Sequence, residues 1–182
     1  MKNFQPILLL LMSCYFLTLN TIKAQNKTVE KSGDVILYVL PITTLATTFI
    51  LNDKKGSWQF TKGLLLTEGI TYGLKLSVNK PRPDMSNNNS FPSGHTSTTF
   101  QSAAFIHRRY GFKYSLPAYA LAGFTAASRI SSDKHDILDV LTGVVIGIGS
   151  TYLFTTPYQQ EHMELTFNSY ENNFMLGFKY KF

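Results

Sequence analysis

Three short stretches of the sequence carry residues that can bind an anion and move a proton. Lysine and arginine donate hydrogen bonds to phosphate oxygens, and an imidazole can act as a nucleophile, an acid or a base near neutral pH. In chain order the members of these stretches are Lys75 and Arg82, then Ser93, Gly94 and His95, then Ser128, Arg129, His135 and Asp139. Together these residue types indicate chemistry on a tetrahedral anion such as phosphate.

Five of these residues are suited to holding the anion. Arg82 and Arg129 each present forked N–H donors, and Lys75 supplies a compact charge. The backbone amides of Ser93 and Gly94 lie at the predicted start of a helix, where the helix dipole favours negative charge. We therefore expect the five to bind the phosphoryl group and to stabilise its charge without a metal.

Two histidines are candidates for the covalent and proton-transfer steps. His135 and Asp139 are four residues apart in a predicted helix and share a face, so the carboxylate can accept the proton of one ring nitrogen while the other faces phosphorus. His135 is therefore the candidate nucleophile. His95, on the opposite side of the pocket, is expected to protonate the leaving alkoxide and later to activate water.

A metal site is the alternative interpretation of the acidic residues around His135. Carboxylates and an imidazole can bind a divalent ion, and the candidate ligands are Asp133, His135, Asp136 and Asp139. The cations predicted for the same pocket would repel a metal ion; they are Lys75, Arg82 and Arg129. The sequence therefore predicts a site with neither metal nor cofactor.

Apolar stretches of helical length must position these residues. They predict five helices, covering residues 35–51, 58–78, 96–110, 116–128 and 136–152, the first of them kinked at Pro41. Short connections make neighbouring helices antiparallel, which gives an all-α bundle. Because the three stretches lie at helix ends, the alternating direction brings them to one end of the bundle. His107 and His162 fall elsewhere and are expected to be surface residues.

Composition narrows the class of protein further. The chain has 182 residues, 44% of them apolar, and one cysteine, which excludes a disulfide-stapled mini-protein and a charged disordered chain. The net charge of +6 is spread along the chain without a basic run, so nucleic acid is not a predicted partner. An anionic small substrate or a membrane surface fits this charge.

The two ends of the chain differ from its middle. Residues 1–25 contain an early lysine and then an apolar run, and they predict a secretory signal peptide, with an uncleaved membrane helix as the alternative. Residues 158–182 alternate apolar and polar side chains and predict an accessory C-terminal β-hairpin. Residues 26–157 are left as the domain that carries the chemistry.

The spacing K-x6-R-P, then P-S-G-H, then S-R-x5-H-x3-D resembles the phosphatidic acid phosphatase type 2 superfamily. Eleven fixed positions occur in order, and the resemblance spans about Lys75 to Gly147. That superfamily includes membrane lipid phosphatases, soluble periplasmic acid phosphatases and vanadium haloperoxidases. The resemblance implies a helical phosphatase domain over residues 26–157 and the same roles, position by position, for the nucleophile, the acid and the phosphate ligands.

The expected function is hydrolysis of a lipid phosphate or diphosphate through a phosphohistidine intermediate. Family likeness suggests phosphatidate, phosphatidylglycerophosphate or undecaprenyl diphosphate as substrate, and the sequence does not choose among them. The alternatives are a soluble periplasmic acid phosphatase acting on small phosphomonoesters, a vanadate-dependent haloperoxidase and a non-catalytic envelope protein. We expect an exported, membrane-associated enzyme of the cell envelope whose site faces the periplasm, because the basic connections cluster at the opposite end of the bundle.

Overall fold

The computed structural model describes the backbone of residues 4–158, 163–170 and 173–180, and the side chains of residues 27–158. Its helices are α1 (Phe4–Ile50), α2 (Lys54–Val78), α3 (Gly94–Tyr110), α4 (Phe112–Ser131) and α5 (Ile137–Phe154). The prediction of a five-helix α bundle is confirmed for this part of the chain. Residues 4–25 of the predicted signal peptide lie within α1 and residues 1–3 lie outside the described residues, so the signal peptide and its cleavage stay predictions.

Contacts at the two ends of the bundle show that the helices alternate in direction. Asp53, between α1 and α2, accepts hydrogen bonds from Arg109 near the end of α3. Gln59 near the start of α2 donates to Thr156 just after α5, at 2.9 Å. The opposite end holds Lys75 of α2, the start of α3 and the end of α4. Successive helices therefore run antiparallel, as the short connections require.

All five helices differ from their predicted bounds at one end or both. The largest difference is in α1, which begins at Phe4 and not at residue 35. Helix α2 begins four residues early because Asp53 caps it, with Oδ1 accepting from the Gly56 amide at 2.8 Å. Helix α4 begins at Phe112 and contains Pro117 within its early turns. The backbone reverses between α3 and α4 at Gly111 alone, where φ is 109°, a conformation that favours glycine. Helix α1 continues through Pro41.

Helix α3 lies at the centre and contacts each of the other four helices. Its side chains are mostly small and buried, so neighbouring backbones approach closely. Two glycines of α5 face it: a Cβ on Gly143 would lie 2.7 Å from the Ser93 carbonyl oxygen, and one on Gly147 would lie 2.3 Å from that of Ser97. The contact between α3 and α5 therefore depends on these two glycines.

Two helical segments are long and apolar enough to cross a membrane. They are Lys27–Ile50, with mean hydropathy 1.6, and Ile137–Phe154, with mean hydropathy 1.8. Only 22% of the first window and 39% of the second are buried inside the bundle, so much of their apolar surface faces outward. Large exposed patches of this kind mark surfaces that contact lipid or another protein.

The chain ends in two antiparallel strands, β1 (Met163–Tyr170) and β2 (Asn173–Tyr180). They pair with Met163 opposite Tyr180 and Tyr170 opposite Asn173. Their side chains lie outside the described residues. The accessory role predicted for this hairpin stays a prediction.

Candidate active site

The predicted site residues meet at one end of the bundle. The Lys75 ammonium, near the end of α2, donates to the carbonyl oxygens of Asn89 and Pro92, both at 2.7 Å. This places Lys75 beside the loop that leads into α3. Burial lowers the pKa of both His95 and His135, and the positive charge of Arg82 lowers both further.

The start of α3 differs in one respect from the expected anion cradle. Ser93 is the N-cap, and its Oγ accepts from the Thr96 amide at 3.4 Å. Its own amide donates to the Asp139 carbonyl at 3.0 Å, so that N–H is already bonded to α5. Gly94 follows in the first helical turn, where amides have no acceptor within the helix. Gly94 is thus the better placed of the two predicted backbone donors.

His135 lies just before α5 and not on the predicted helical face. Asp136 is the N-cap of α5, and Asp139 completes a capping box by accepting from the Asp136 amide at 3.1 Å. The cap still turns His135 toward the carboxylate, because its Nδ1 lies 3.6 Å from Asp139 Oδ2. That distance is too long for a hydrogen bond. The two side chains are neighbours, as expected, but for a different structural reason.

The buried Asp139 carboxylate has two partners that the motifs did not indicate. Lys80 Nζ donates to Oδ1 at 2.8 Å and also bonds Asp136, and the Ser90 hydroxyl bonds Oδ2. Neither Lys80 nor Ser90 belongs to the motif positions identified in the sequence. A hydrogen bond from the Ser90 amide to the Lys80 carbonyl brings both residues to the site.

His135 is held as a neutral imidazole. Burial, followed by the charges of Lys75 and Arg82, lowers its pKa to about 4, against an opposing effect of Asp139. At neutral pH the ring therefore has a nitrogen lone pair available for attack on phosphorus.

Two buried nitrogens of the site, His135 Nδ1 and Arg82 Nε, have no hydrogen-bond partner among the residues with described side chains. Buried donors of this kind are normally satisfied. A bound anion would supply the missing acceptor for Arg82.

His95 and Arg129 are joined by a residue of α1. Asp34 Oδ1 lies 2.8 Å from His95 Nε2 and accepts from Arg129 Nη1 at 2.8 Å. Arg129 also donates through Nε to Ser128 Oγ at 3.1 Å and through Nη2 to the Glu30 carbonyl. The two guanidinium groups therefore differ. Arg129 donates hydrogen bonds to three groups of the protein, whereas Arg82 Nε has no partner among the described side chains.

The opposite end of the bundle holds none of the predicted site residues. It contains a cleft of about 780 Å³ between the α3–α4 connection and the end of α5. His107 lines this cleft, but the prediction of a surface residue is wrong in part, because its ring is half-buried and Nδ1 lies 3.3 Å from the Tyr119 hydroxyl. His162 lies outside the described residues.

The metal interpretation of the acidic residues finds no geometry to support it in the described part of the chain. No group of three or more His, Cys, Asp or Glu side chains there is arranged to hold an ion. Lys80 instead bonds the carboxylates of Asp136 and Asp139.

Comparisons with known proteins show the family to which the chain is similar. The family model described as PAP2 superfamily matches residues 56–163. The chain is 33% identical over 177 residues to a lipid A 4'-phosphatase of Helicobacter pylori, covering 91% of this chain and 89% of that protein. It is 42% identical over 89 residues to a lipid A 1-phosphatase of Porphyromonas gingivalis, which covers 47% of this chain and 20% of the relative.

A solved structure supports the fold. The crystal structure of Aquifex aeolicus LpxE matches with a TM-score of 0.62 at 21% identity, covering 71% of this chain and 84% of that one. The family match ends at residue 163, so it lends no support to the predicted hairpin as part of the fold. From the family match and the relative that spans nearly its whole length, the chain belongs to the PAP2 superfamily, and it is a phosphoric ester hydrolase.

Proposed function

We propose that the protein is a metal-independent phosphatase that removes a phosphate group from lipid A, through a covalent intermediate on His135. The observation that carries this proposal is the match to a lipid A 4'-phosphatase over 91% of the chain, together with a neutral imidazole beside Arg82. Lipid A is a phosphorylated lipid, as the sequence leads us to expect, but it is not one of the three substrates suggested by family likeness, which are phosphatidate, phosphatidylglycerophosphate and undecaprenyl diphosphate. The extent of the match favours the 4'-phosphate over the 1-phosphate.

The first half of the reaction transfers the phosphoryl group to the protein. Nδ1 of His135 faces Asp139, which leaves Nε2 to attack phosphorus. The P–N bond forms as the bond between phosphorus and the leaving oxygen breaks, and that oxygen takes a proton from His95. The imidazole becomes cationic during this step, and the Asp139 carboxylate beside it stabilises the new charge.

The second half restores the enzyme. His95, now neutral, accepts a proton from a water molecule as that water attacks phosphorus. The P–N bond breaks, inorganic phosphate leaves, and His135 returns to its neutral form.

Throughout the reaction the charge on the equatorial oxygens needs fixed donors. We assign this role to Arg82, Lys75, Arg129 and the helix start at Ser93 and Gly94. Arg82 carries most of it, since its Nε is buried and unpaired among the described side chains.

The enzyme is proposed to act in the cell envelope, associated with the membrane and with its site on the periplasmic side. Two helical segments long enough to span support the association with a membrane. Such a position gives the site access to a lipid headgroup while the acyl chains stay in the bilayer.

The test is phosphate release from lipid A that carries both the 1- and the 4'-phosphate, with the purified protein in detergent. Mass spectrometry with fragmentation identifies which phosphate leaves, and we expect the 4'-phosphate. His135→Gln, which keeps the size and polarity of the side chain, should reduce turnover at least a thousandfold, while a chelator changes it little. Cleavage of phosphatidate but not of lipid A would refute the substrate, and full activity of H135Q would refute the mechanism.

A further inference from the structure

We infer that Asp34, on α1, is a positioning residue for His95, holding the ring so that one nitrogen delivers its proton to the leaving group. This inference rests on the proposed function of His95 as the acid. Asp34 lies outside residues 56–163, which the family model matches. From the sequence alone it reads only as a possible helix cap.

Asp34 contacts both His95 and Arg129 directly. A single oxygen, Asp34 Oδ1, lies 2.8 Å from His95 Nε2 and 2.8 Å from Arg129 Nη1. The carboxylate is 45% exposed and the imidazole 25% exposed, so the pair is partly accessible to solvent. One carboxylate thus pairs with the acid and with a predicted phosphate ligand at the same time.

Close packing of α1 against α4 fixes the place of Asp34. A Cβ on the neighbouring Gly33 would lie 2.2 Å from Ser128 Oγ and 2.7 Å from Arg129 Nη2, so a larger residue there would displace both side chains. Arg129 Nη2 also donates to the Glu30 carbonyl, one helical turn earlier. Helix α1 is therefore held against the site over a full turn.

The chemical consequence follows from the two nitrogens of an imidazole. When Nε2 carries a proton and donates it to Asp34, Nδ1 is left to hold the proton that is transferred. Three charged groups face this ring: Asp34 from α1, Arg129 from α4 and Arg82 from the loop before α3. The two cations oppose protonation of His95, and Asp34 is the group among the three that favours it.

The test compares Asp34→Asn and Asp34→Glu with the wild type on the lipid phosphate that the wild type hydrolyses. For D34N we expect kcat to fall by roughly ten- to a hundredfold while KM stays within about twofold, because the substitution slows proton transfer from His95 and does not remove a contact to substrate. The alkaline limb of the pH–rate profile should move to lower pH by roughly one unit, since His95 then loses its proton more readily. D34E keeps the charge and should restore most of the rate and the position of the limb.

Glu30→Gln is the matched control. It removes a carboxylate from the same helix, one turn away, which pairs with Lys134 at 3.7 Å. Its rate and pH profile should match those of the wild type. A merely structural role for Asp34 would lower the amount of folded enzyme without moving the alkaline limb.

Three results would overturn the inference. In the first, D34N keeps the wild-type kcat and pH profile. In the second, D34N shows a lower KM and a higher kcat/KM, which would mean that the Asp34 carboxylate occupies the phosphate position. In the third, nitrogen-15 spectra of the wild-type protein, assigned with H95Q, show His95 protonated on Nδ1 and not on Nε2; this measurement needs no Asp34 variant to fold. A wild-type enzyme without lipid phosphatase activity would refute the proposed function instead.

Discussion

The two histidines of the site have different surroundings, and these suit different roles. His135 is buried and faces two cations, Lys75 and Arg82, which keep its pKa low. The pKa of His95 is also lowered, first by burial and then by the charge of Arg129, whereas the Asp34 carboxylate raises it. A bound phosphate would add negative charge between them and favour protonation of His95. On the proposed mechanism, the neutral imidazole of His135 is ready for nucleophilic attack, and substrate binding would favour the protonated form of His95 that the acid role needs.

The acid limb of the pH–rate profile should report the titration of His135. Its neutral form attacks, so kcat/KM is expected to fall as the pH drops through a pKa of about 4. Lys75→Met removes a cation that lowers this pKa, so the pKa rises and the limb moves to higher pH, by roughly one unit. KM should rise as well, because a phosphate ligand is lost.

Lys113→Met provides the control for this experiment. Lys113 is an exposed residue at the opposite end of the bundle, and removing its charge should leave the acid limb in place. An unmoved limb in Lys75→Met, in an enzyme that remains folded, would contradict the assignment of the limb to His135.

At the scale of the helix, the contact between α3 and α5 decides whether the site holds together. The Ser93 amide at the start of α3 donates to the Asp139 carbonyl of α5 at 3.0 Å, so a backbone hydrogen bond joins the two helices at the site. Gly143 lies beside this bond and Gly147 lies one turn further along. A larger residue at either position would separate the two helices at the point where they position the site.

Gly147→Val should therefore destabilise the protein. Its Cβ would lie 2.3 Å from the Ser97 carbonyl oxygen and 2.7 Å from the Gln101 amide nitrogen. Both are backbone atoms, so a change of side-chain rotamer cannot relieve the clash. Forcing such a group into packed helices lowers the free energy of unfolding by about 1–3 kcal/mol. Thermal unfolding in detergent measures the change, and activity should fall with it.

Gly149→Ala is the matched control on the same helix. Nothing lies within 4 Å of the added methyl group, and alanine favours helix, so this variant should be as stable as the wild type or slightly more so. If G147V unfolds at the same temperature as G149A, α3 and α5 are not packed as described.

Much of this arrangement could be predicted from helix ends alone. The motif residues Lys75, His95, Arg129 and His135 meet because each lies near the end of a helix in an antiparallel bundle. The partners Asp34, Lys80 and Ser90 could not be predicted, because their contacts join segments far apart in the chain and depend on side-chain direction. The relation of His135 to Asp139 was predicted as a shared helical face and arises instead from the cap of α5.

For the molecule as a whole, the two ends of the bundle have distinct characters. The far end is fastened by a buried ion pair, in which Asp53 accepts from Arg109 Nε at 2.7 Å and Nη2 at 2.6 Å, and from the Tyr110 hydroxyl at 2.9 Å. The site end presents exposed polar loop residues and the cationic pocket. Apolar surfaces of α1 and α5 lie between the two ends. Polar residues at both ends with apolar surface between them suit a bundle that lies across a bilayer with its site at one end.

The site end is predicted to face the periplasm. Basic residues within three positions of a helix connection number five at the far end and four at the site end, and basic residues favour the cytoplasmic side. They are Lys54, Lys55, Arg108, Arg109 and Lys113 at the far end, and Lys80, Arg82, Arg129 and Lys134 at the site end. Two exposed positions report the orientation in a Cys14→Ser background: Ser86→Cys at the site end and Lys113→Cys at the far end. In intact cells with a permeabilised outer membrane, a maleimide that cannot cross the inner membrane should label the first variant, and the second only after lysis. Reversed labelling would place the site in the cytoplasm, and equal labelling of both would show that the bundle does not span the membrane.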